Sequence, residues 1–445
     1  MFSYEENELL VRVGPGKPMG ELLRRFWLPA LLAEELPTPD CTPVRVRLLG
    51  EDLVAFRDTN GRVGIVDAYC PHRGAPMFFG RNEEGGLRCI YHAWKFDVEG
   101  TCTDIPSCPE GETFKNKVRI TAYPAVERAG MIWVYMGPKE HQPPLPGFDW
   151  FDMPANHVFV TKFLVHCNFL QSMEGDYDPG HLYLHHTLDQ NRNNQANQVT
   201  ETDLISRMYQ DIMLVEDAPH GIISASEGLI NGKPSVRLSP WMAPIFPTAG
   251  LASPGVFSSN MRVPIDDEWN WWFRLRWSYK PLPEKDLREA KYGGFTYPET
   301  IPGTYRAIAN KENDYLIDRN LQRTHSVSGI KTFPLQDLCV QENQWGPVAK
   351  RYNEHLQSTD RIIIQVRRRL LKMVRELQQG KEPEEPRHPE YFKAHMLFRY
   401  VPEGGSAEQT LAEMKAEMLS YGAIGGARPA EPARASAAAQ PAAAK

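Results

Sequence analysis

Two short motifs, Cys70-Pro71-His72 and Cys89-Ile90-Tyr91-His92, lie sixteen residues apart and bring together two thiols and two imidazoles. That donor set suits a [2Fe–2S] cluster in which two thiolates hold one iron and two neutral imidazoles hold the other. Neutral imidazoles remove negative charge, so such a cluster accepts an electron more readily than an all-cysteine one. Zinc also takes S and N ligands, but its usual spacing is C-x2–4-C followed by H-x3–5-H, whereas Cys and His alternate here. A purely structural role would require two Cys–His pairs to arise by chance. Pro71, Gly74 and Pro76 stiffen the first loop, and Trp94 follows the second as an apolar cover. Cover of this kind, with hydrogen bonds to sulfur, tunes a cluster's potential.

A cluster whose irons are fully ligated carries electrons but binds no substrate, so a second centre is expected. The stretch Asn168–His186 supplies His181, His185 and His186. Two His and one carboxylate on one face of Fe(II) leave positions open for O₂ and substrate. Histidines of the surface or core are the competing reading. On an ideal helix His181 and His185 share a face, and His186 requires a bend that Pro179-Gly180 makes plausible. The carboxylate must come from elsewhere. Asp337 and Glu342 both qualify, and spacing alone does not choose between them and Asp314 or Asp318.

The elements that must position these groups are legible in part. The chain has 445 residues, 42% hydrophobic and 24% charged, as in an ordinary globular protein of two to three domains. The net charge of −6 gives no argument for nucleic acid or an anionic membrane. No apolar run reaches membrane-spanning length, and the acidic N-terminus lacks a signal-peptide core, so a cytoplasmic location is expected. Seven Cys, an odd number, argue against a disulfide framework. Residues 1–40 read as a helical arm. From Val44, strand-like runs and the Asn60-Gly61 turn deliver Cys70, and a similar strand and turn follow His92, so residues 41–140 read as a small antiparallel β-domain. Pro143, Pro144 and Pro146 form a linker to a mixed domain over 150–421. There Asn231-Gly232 marks a hairpin and Trp269–Tyr279 alternates as a half-buried strand. Ser358-Thr-Asp caps an amphipathic helix with apolar positions from Ile362 to Leu377, ended by Gly380. Its Arg361, Arg367, Arg368 and Arg369 read as a solvated face. Residues 422–445 are rich in Ala and Pro and read as disordered.

Taken together, these motifs resemble the oxygenase (alpha) component of Rieske non-haem iron ring-hydroxylating oxygenases, most closely the phthalate 4,5-dioxygenase-like group. The likeness spans nearly the whole chain, including Arg12-Val-Gly-Pro-Gly, Val44–Asp58, Cys70-Pro-His-Arg-Gly-Ala and Asp337–Pro347. Phe169 departs from the more usual Trp, and His185 is an extra histidine. The resemblance implies an α+β fold, with a small antiparallel β Rieske domain and a larger catalytic domain whose curved antiparallel sheet is flanked by helices in helix-grip fashion. It implies one [2Fe–2S] cluster on Cys70, His72, Cys89 and His92, and one mononuclear Fe(II) on His181, His186 and Asp337. Asp178 would join His92 of one chain to His181 of the next. A closed head-to-tail trimer, or two stacked trimers, follows from that transfer across subunits.

The resemblance also implies a separate flavin and iron–sulfur NADH-dependent reductase as partner, and the chain has no nucleotide fingerprint with which to do that work itself. The implied reaction is cis-dihydroxylation of an aromatic carboxylate such as phthalate. Chlorobenzoate or phenoxybenzoate, a monooxygenase or demethylase outcome, and a plain electron-transfer protein are the alternatives. A carboxylate clamp by Arg is expected, with Arg207 the leading position, and with Arg274 and Arg276 sharing one face of the aromatic strand.

Overall fold

The computed structural model describes residues 2–109, 112–178, 180–181, 210–230, 233–247, 251–253, 256–294, 296–324 and 326–423. His185, His186, Arg207 and the Asn231-Gly232 turn lie outside the described residues.

The N-terminal segment begins with helices α1 (Tyr4–Val11) and α2 (Pro18–Leu23). Ser3 caps α1 in a capping box with Glu6. The segment is not helical throughout, because Trp27–Leu32 forms strand β1. Leu and Ala there favour a helix locally, but Pro29 disfavours one, and pairing with the fully buried strand Met131–Tyr135 overrides the propensity.

Strands β2 (Val44–Leu48), β3 (Glu51–Arg57) and β4 (Val63–Asp67) form an antiparallel meander, with Gly61 at a φ of 79° in the tight turn. A second small sheet holds β5 (Arg81–Glu83), β6 (Gly86–Arg88), β7 (Lys95–Phe96) and β8 (Cys102–Asp104). β9 (Ala122–Tyr123) joins the first sheet, while β10 (Ala125–Arg128) and β11 (Met131–Tyr135) pair with β1. The two metal-binding motifs sit at the edges of this small β-domain, one after β4 and one between β6 and β7.

Among the described residues the larger domain holds two antiparallel sheets. One is ordered β12 (Val158–Val165), β19 (Asn270–Trp277), β18 (Val256–Pro264), β17 (Leu251–Ser253). The other is ordered β13 (Gln210–Ala218), β14 (Gly221–Ile230), β15 (Lys233–Met242), β16 (Phe246–Pro247), with β20 (Leu397–Tyr400) added to β15. The N–H of Arg262 in β18 donates to Ile245 just ahead of β16, so the two sheets meet there and curve round α3 (Phe169–Tyr177). Helices α4 (Glu284–Tyr292), α5 (Arg319–Thr324), α6 (Phe333–Gln341), α7 (Arg361–Gln378) and α8 (Ala407–Ala423) flank them. Among the described residues no helix is long and apolar enough to cross a membrane.

α7 is amphipathic as its pattern predicts, and Gly380 at a φ of 84° follows its end. Its Arg367 is not on a solvated face. It lies one turn from Ile363, on the apolar stripe, and is only 2% exposed. Its Nε donates to Glu174 of α3 at 2.7 Å, and its other nitrogens reach Glu354. Arg351 grips the same Glu174 with two bonds of 3.1 Å and reaches Asn7 of α1. Burial alone would raise the Glu174 carboxyl; the two guanidiniums outweigh it and hold it down at about 2.

Removing one partner of such a buried pair strands the other charge, so Arg367→Ala should cost about 3–5 kcal/mol of unfolding free energy in urea melts. A depressed carboxyl stabilises the folded state above its unfolded pKa and ceases to do so as pH falls through its folded one. Stability of the wild type should therefore drop between pH 4.5 and about 2, the window set by Glu174, and the Arg367→Ala protein should show a shallower drop there.

Candidate functional site

The two metal-binding loops have the same backbone frame. Cys70 N–H donates to Ala75 and Gly74 N–H donates back to Cys70. Cys89 N–H donates to Trp94 and Ala93 N–H donates back to Cys89. Gly74 and Ala93 occupy equivalent left-handed positions, at φ of 70° and 62°. Ala93 bears that conformation with a Cβ, at a cost of order 1 kcal/mol. A two-fold-like pair of loops therefore brings the Cys70 thiol beside that of Cys89 and the His72 ring beside that of His92.

Cys70 and Cys89 are each 2% exposed and close enough to interact. Burial, with Cys89 beside it, pushes the Cys70 thiol up to about 11, which metal binding would reverse. The His72 and His92 rings lie 4.5 Å apart. His92 Nδ1 is shielded from solvent and has no partner among the described residues, as expected of a nitrogen reserved for a ligand. Trp94 stacks on His72 at 4.4 Å, and Tyr91 N–H points at Cys89 Sγ from 3.5 Å. Soft sulfur donors, a spare imidazole nitrogen, an aromatic cover and an N–H aimed at sulfur together fit a [2Fe–2S] cluster.

The second site is built on α3. Asn168 caps the helix and donates to Val11 and Asp267. Gln171 donates to Gln341 and accepts from Ala349 N–H. Asp176 accepts from Arg262 and Asn260 at 2.5–2.9 Å. With Glu174, nearly every polar side chain of α3 is buried and bonded to a distant segment. Gly175 allows the closest approach: a Cβ there would stand 2.3 Å from Gln341 Nε2 of α6.

The register of α3 against α6 sets the geometry that follows. His181 Nδ1 lies 3.4 Å from Asp178, and its Nε2 lies 3.3 Å from Asp337 on α6. Burial would lower this imidazole; the flanking carboxylates outweigh it and raise it to about 10. The other oxygen of Asp178 accepts the Gly180 N–H at 2.8 Å. His181 thus stands between Asp178 and Asp337, one at each ring nitrogen, while His186 falls outside the described residues. Nitrogen and carboxylate donors of this kind suit iron(II) with open positions.

Glu342, the rival to Asp337, is committed elsewhere. It accepts the His166 N–H at 2.9 Å and the Tyr315 hydroxyl at 2.5 Å. Arg274 and Arg276 are buried in structural contacts: Arg276 pairs with Asp286 at 2.7 Å, and Arg274 donates to the Thr296 carbonyl and lies over Tyr297. Asp318 accepts the N–H groups of Asn320 and Leu321 at the start of α5.

One buried charge was not singled out by sequence reasoning. Arg237 of β15 is partly buried and meets no carboxylate among the described residues. Its Nε faces Ser239 Oγ at 3.1 Å and Met396 Sδ at 3.0 Å. That uncompensated burial pushes the guanidinium down to about 10, still charged at neutral pH. In sequence it is one arginine in an alternating strand, and nothing local distinguishes it.

Comparison with known proteins gives the family of the chain. Residues 26–124 match the Rieske [2Fe-2S] domain, and residues 134–395 match the family described as LigXa C-terminal domain like. The chain is 37% identical to the 3-chlorobenzoate-3,4-dioxygenase oxygenase subunit of Comamonas testosteroni over 83% of this chain and 88% of that one. It is 35% identical to the phthalate 4,5-dioxygenase oxygenase subunit of Pseudomonas putida over 85% and 88%. The fold is similar to that of dicamba monooxygenase bound to dicamba, with a TM-score of 0.56 at 19% identity, covering 80% of this chain and 99% of that one. The chain belongs to the Rieske non-haem iron oxygenases, as an oxygenase component similar to those of the phthalate and chlorobenzoate systems. It carries a Rieske [2Fe–2S] cluster and the family's mononuclear iron.

Because the Gln341 amide covers Gly175, Gly175→Ala should push that side chain aside and break its bond with Ser172, loosening α3 against the helix that carries Asp337. Iron and acid-labile sulfide assays should then fall from roughly three irons per two sulfides toward two, while the cluster's visible and EPR spectra stay as in the wild type.

Proposed function

We propose that this chain is the oxygenase component of a two-component dioxygenase that cis-dihydroxylates an aromatic carboxylate of the phthalate or chlorobenzoate type. The observation that carries the substrate class is Arg237. A charged guanidinium, partly buried on the sheet face covered by the iron-bearing helix and lacking a carboxylate among the described residues, suits a ligand that brings its own. Arg207 is proposed as a second contact, on the resemblance alone.

Cys70, Cys89, His72 and His92 are assigned as the cluster ligands, and His181, His186 and Asp337 as those of the mononuclear iron. When bound, the cluster supplies single electrons and the mononuclear iron supplies a site where dioxygen and substrate meet. The protein's part is positioning and proton control. Asp178 stands 3.4 Å from His181 Nδ1, placed to orient that ring. Trp94 and the loop N–H groups shield the cluster. Ile90 and Tyr91, 61% and 55% exposed beside the cluster ligands, support a neighbouring subunit closing over this rim, as in a trimer or stacked trimers. There the partner's Asp178 would accept from His92. Electrons would come from an NADH-dependent reductase, in the cytoplasm.

Asp178→Asn should retain both metals by iron and sulfide assay yet lose nearly all turnover; wild-type turnover would remove the bridge. With reductase, NADH and a panel of benzoates, Arg237→Gln should raise KM for carboxylated substrates by roughly tenfold or more. Product analysis of the wild type tests the reaction. A cis-dihydrodiol supports dioxygenation, whereas a phenol with released formaldehyde from a methoxybenzoate would make it a demethylase.

A further inference from the structure

The two imidazoles of the small domain have unlike surroundings. On the His92 side the Tyr91 ring packs at 3.9 Å, Arg73 lies 5.4 Å over Tyr91, and Ile90 stands exposed. That is the rim assigned above to a neighbouring subunit. On the His72 side Trp94 stacks nearly parallel, at 9°, and Phe114 meets Trp94 edge-on at 6.0 Å. Trp94 is 8% exposed and Phe114 47%, so this row of rings runs from a cluster ligand to the surface.

Phe114 opens a single 3-10 turn, Phe114–Lys117, that is exposed along its whole length. The turn therefore holds its aromatic ring out to solvent rather than into the core. Basic side chains surround that ring. Lys115 Nζ donates to the Thr103 carbonyl and Arg119 to the Glu99 carbonyl, and Lys117 is exposed between them. None of the three meets a carboxylate at ion-pair distance among the described residues. The acids of the adjoining sheet are paired with other cations: Asp104 with Arg88, Glu99 with Arg62, and Glu84 with Lys95. Glu112, just ahead of the turn, is an exposed acid. In a chain of net charge −6, one exposed ring thus sits in a local excess of positive charge beside the cluster loops. An apolar centre with a charged rim is the anatomy of a protein-binding surface.

We propose that the face formed by residues 114–119 is where the electron donor docks, that its occupant is the acidic surface of the reductase's iron–sulfur domain, and that the electron enters past Trp94 to His72. The inference rests on the reading that a separate reductase supplies the electrons. Charge complementarity selects the occupant. A donor cluster held by four thiolates is more negative than one in which neutral imidazoles replace two of them, and a negative donor is drawn to a positive face. One electron passes per encounter: a ferrous iron of the donor cluster is oxidised and a ferric iron of this cluster is reduced, with no bond formed or broken. The two sides of the cluster are then divided between two partners, the His92 side for the next subunit and the His72 side for the donor.

The test uses a plant-type [2Fe–2S] ferredoxin as donor. The oxidised, cluster-loaded protein is titrated with oxidised ferredoxin in a calorimeter and mixed with reduced ferredoxin in anaerobic stopped flow. Lys115→Glu with Lys117→Glu should weaken binding and slow reduction by roughly tenfold or more at low salt, and the gap from wild type should close as salt is raised. Phe114→Ser should weaken binding at every salt concentration, since its contact is apolar. Reduction by dithionite, which needs no docking, and the assembled mass by light scattering should stay as in wild type. A double variant that binds and is reduced like the wild type, or a wild-type rate indifferent to salt, overturns the proposal. A fall in assembled mass in these variants also overturns it, by making the face a contact between copies of this chain. A wild type that dithionite reduces but ferredoxin neither binds nor reduces overturns the reading beneath, that of an iron–sulfur donor.

Discussion

The buried carboxylate of Glu174, gripped by Arg351 and Arg367, is the interaction on which the rest of the catalytic domain depends. Three ionised groups out of water are costly unless each finds well-placed partners. Here the partners come from α3, from the 351–354 turn and from the long helix α7, and Asn7 of α1 completes the set. Satisfying them fixes the position of α3 along and around its own axis. Since α3 leads directly into Asp178 and His181, the iron site inherits that position.

The same logic explains why α3 is polar where a core helix is usually apolar. An apolar helix can rotate or slide with little change in burial, whereas Asn168, Gln171, Ser172, Glu174 and Asp176 each have one satisfying register. Gly175 leaves room for the Gln341 amide of α6, and Asp337 on the same helix lies beside His181. Positional precision at the metal is thus obtained from hydrogen bonds several residues away. The β-domain reaches a similar end by other means. Its two loops close on themselves through backbone bonds and differ mainly in whether Gly74 or Ala93 takes the left-handed position.

Much of this was legible in the chain. The Cys70–His72 and Cys89–His92 loops are local, each set by a few residues and a turn. The Asn60-Gly61 hairpin, the aromatic strand β19 and the stripe of α7 follow from periods of 2 and 3.6. The helical reading of residues 1–40 missed β1, because its pairing partner lies about a hundred residues on and only Pro29 hinted at it. Arg367 read as solvated because an arginine on an apolar stripe makes sense only once Glu174 and Glu354 are known to face it.

The sequence by itself determined the donor types, their short-range spacing and the family they define. These depend on bonds within a loop or a single turn, where chain order and spatial order coincide. Only the tertiary structure set Asp337 beside His181 and Glu342 against His166 and Tyr315, committed Arg274 and Arg276 to packing, and left Arg237 without a carboxylate among the described residues. Those outcomes rest on partners tens to hundreds of residues apart, and on strand register that shifts every side chain to the opposite face if it slips by one.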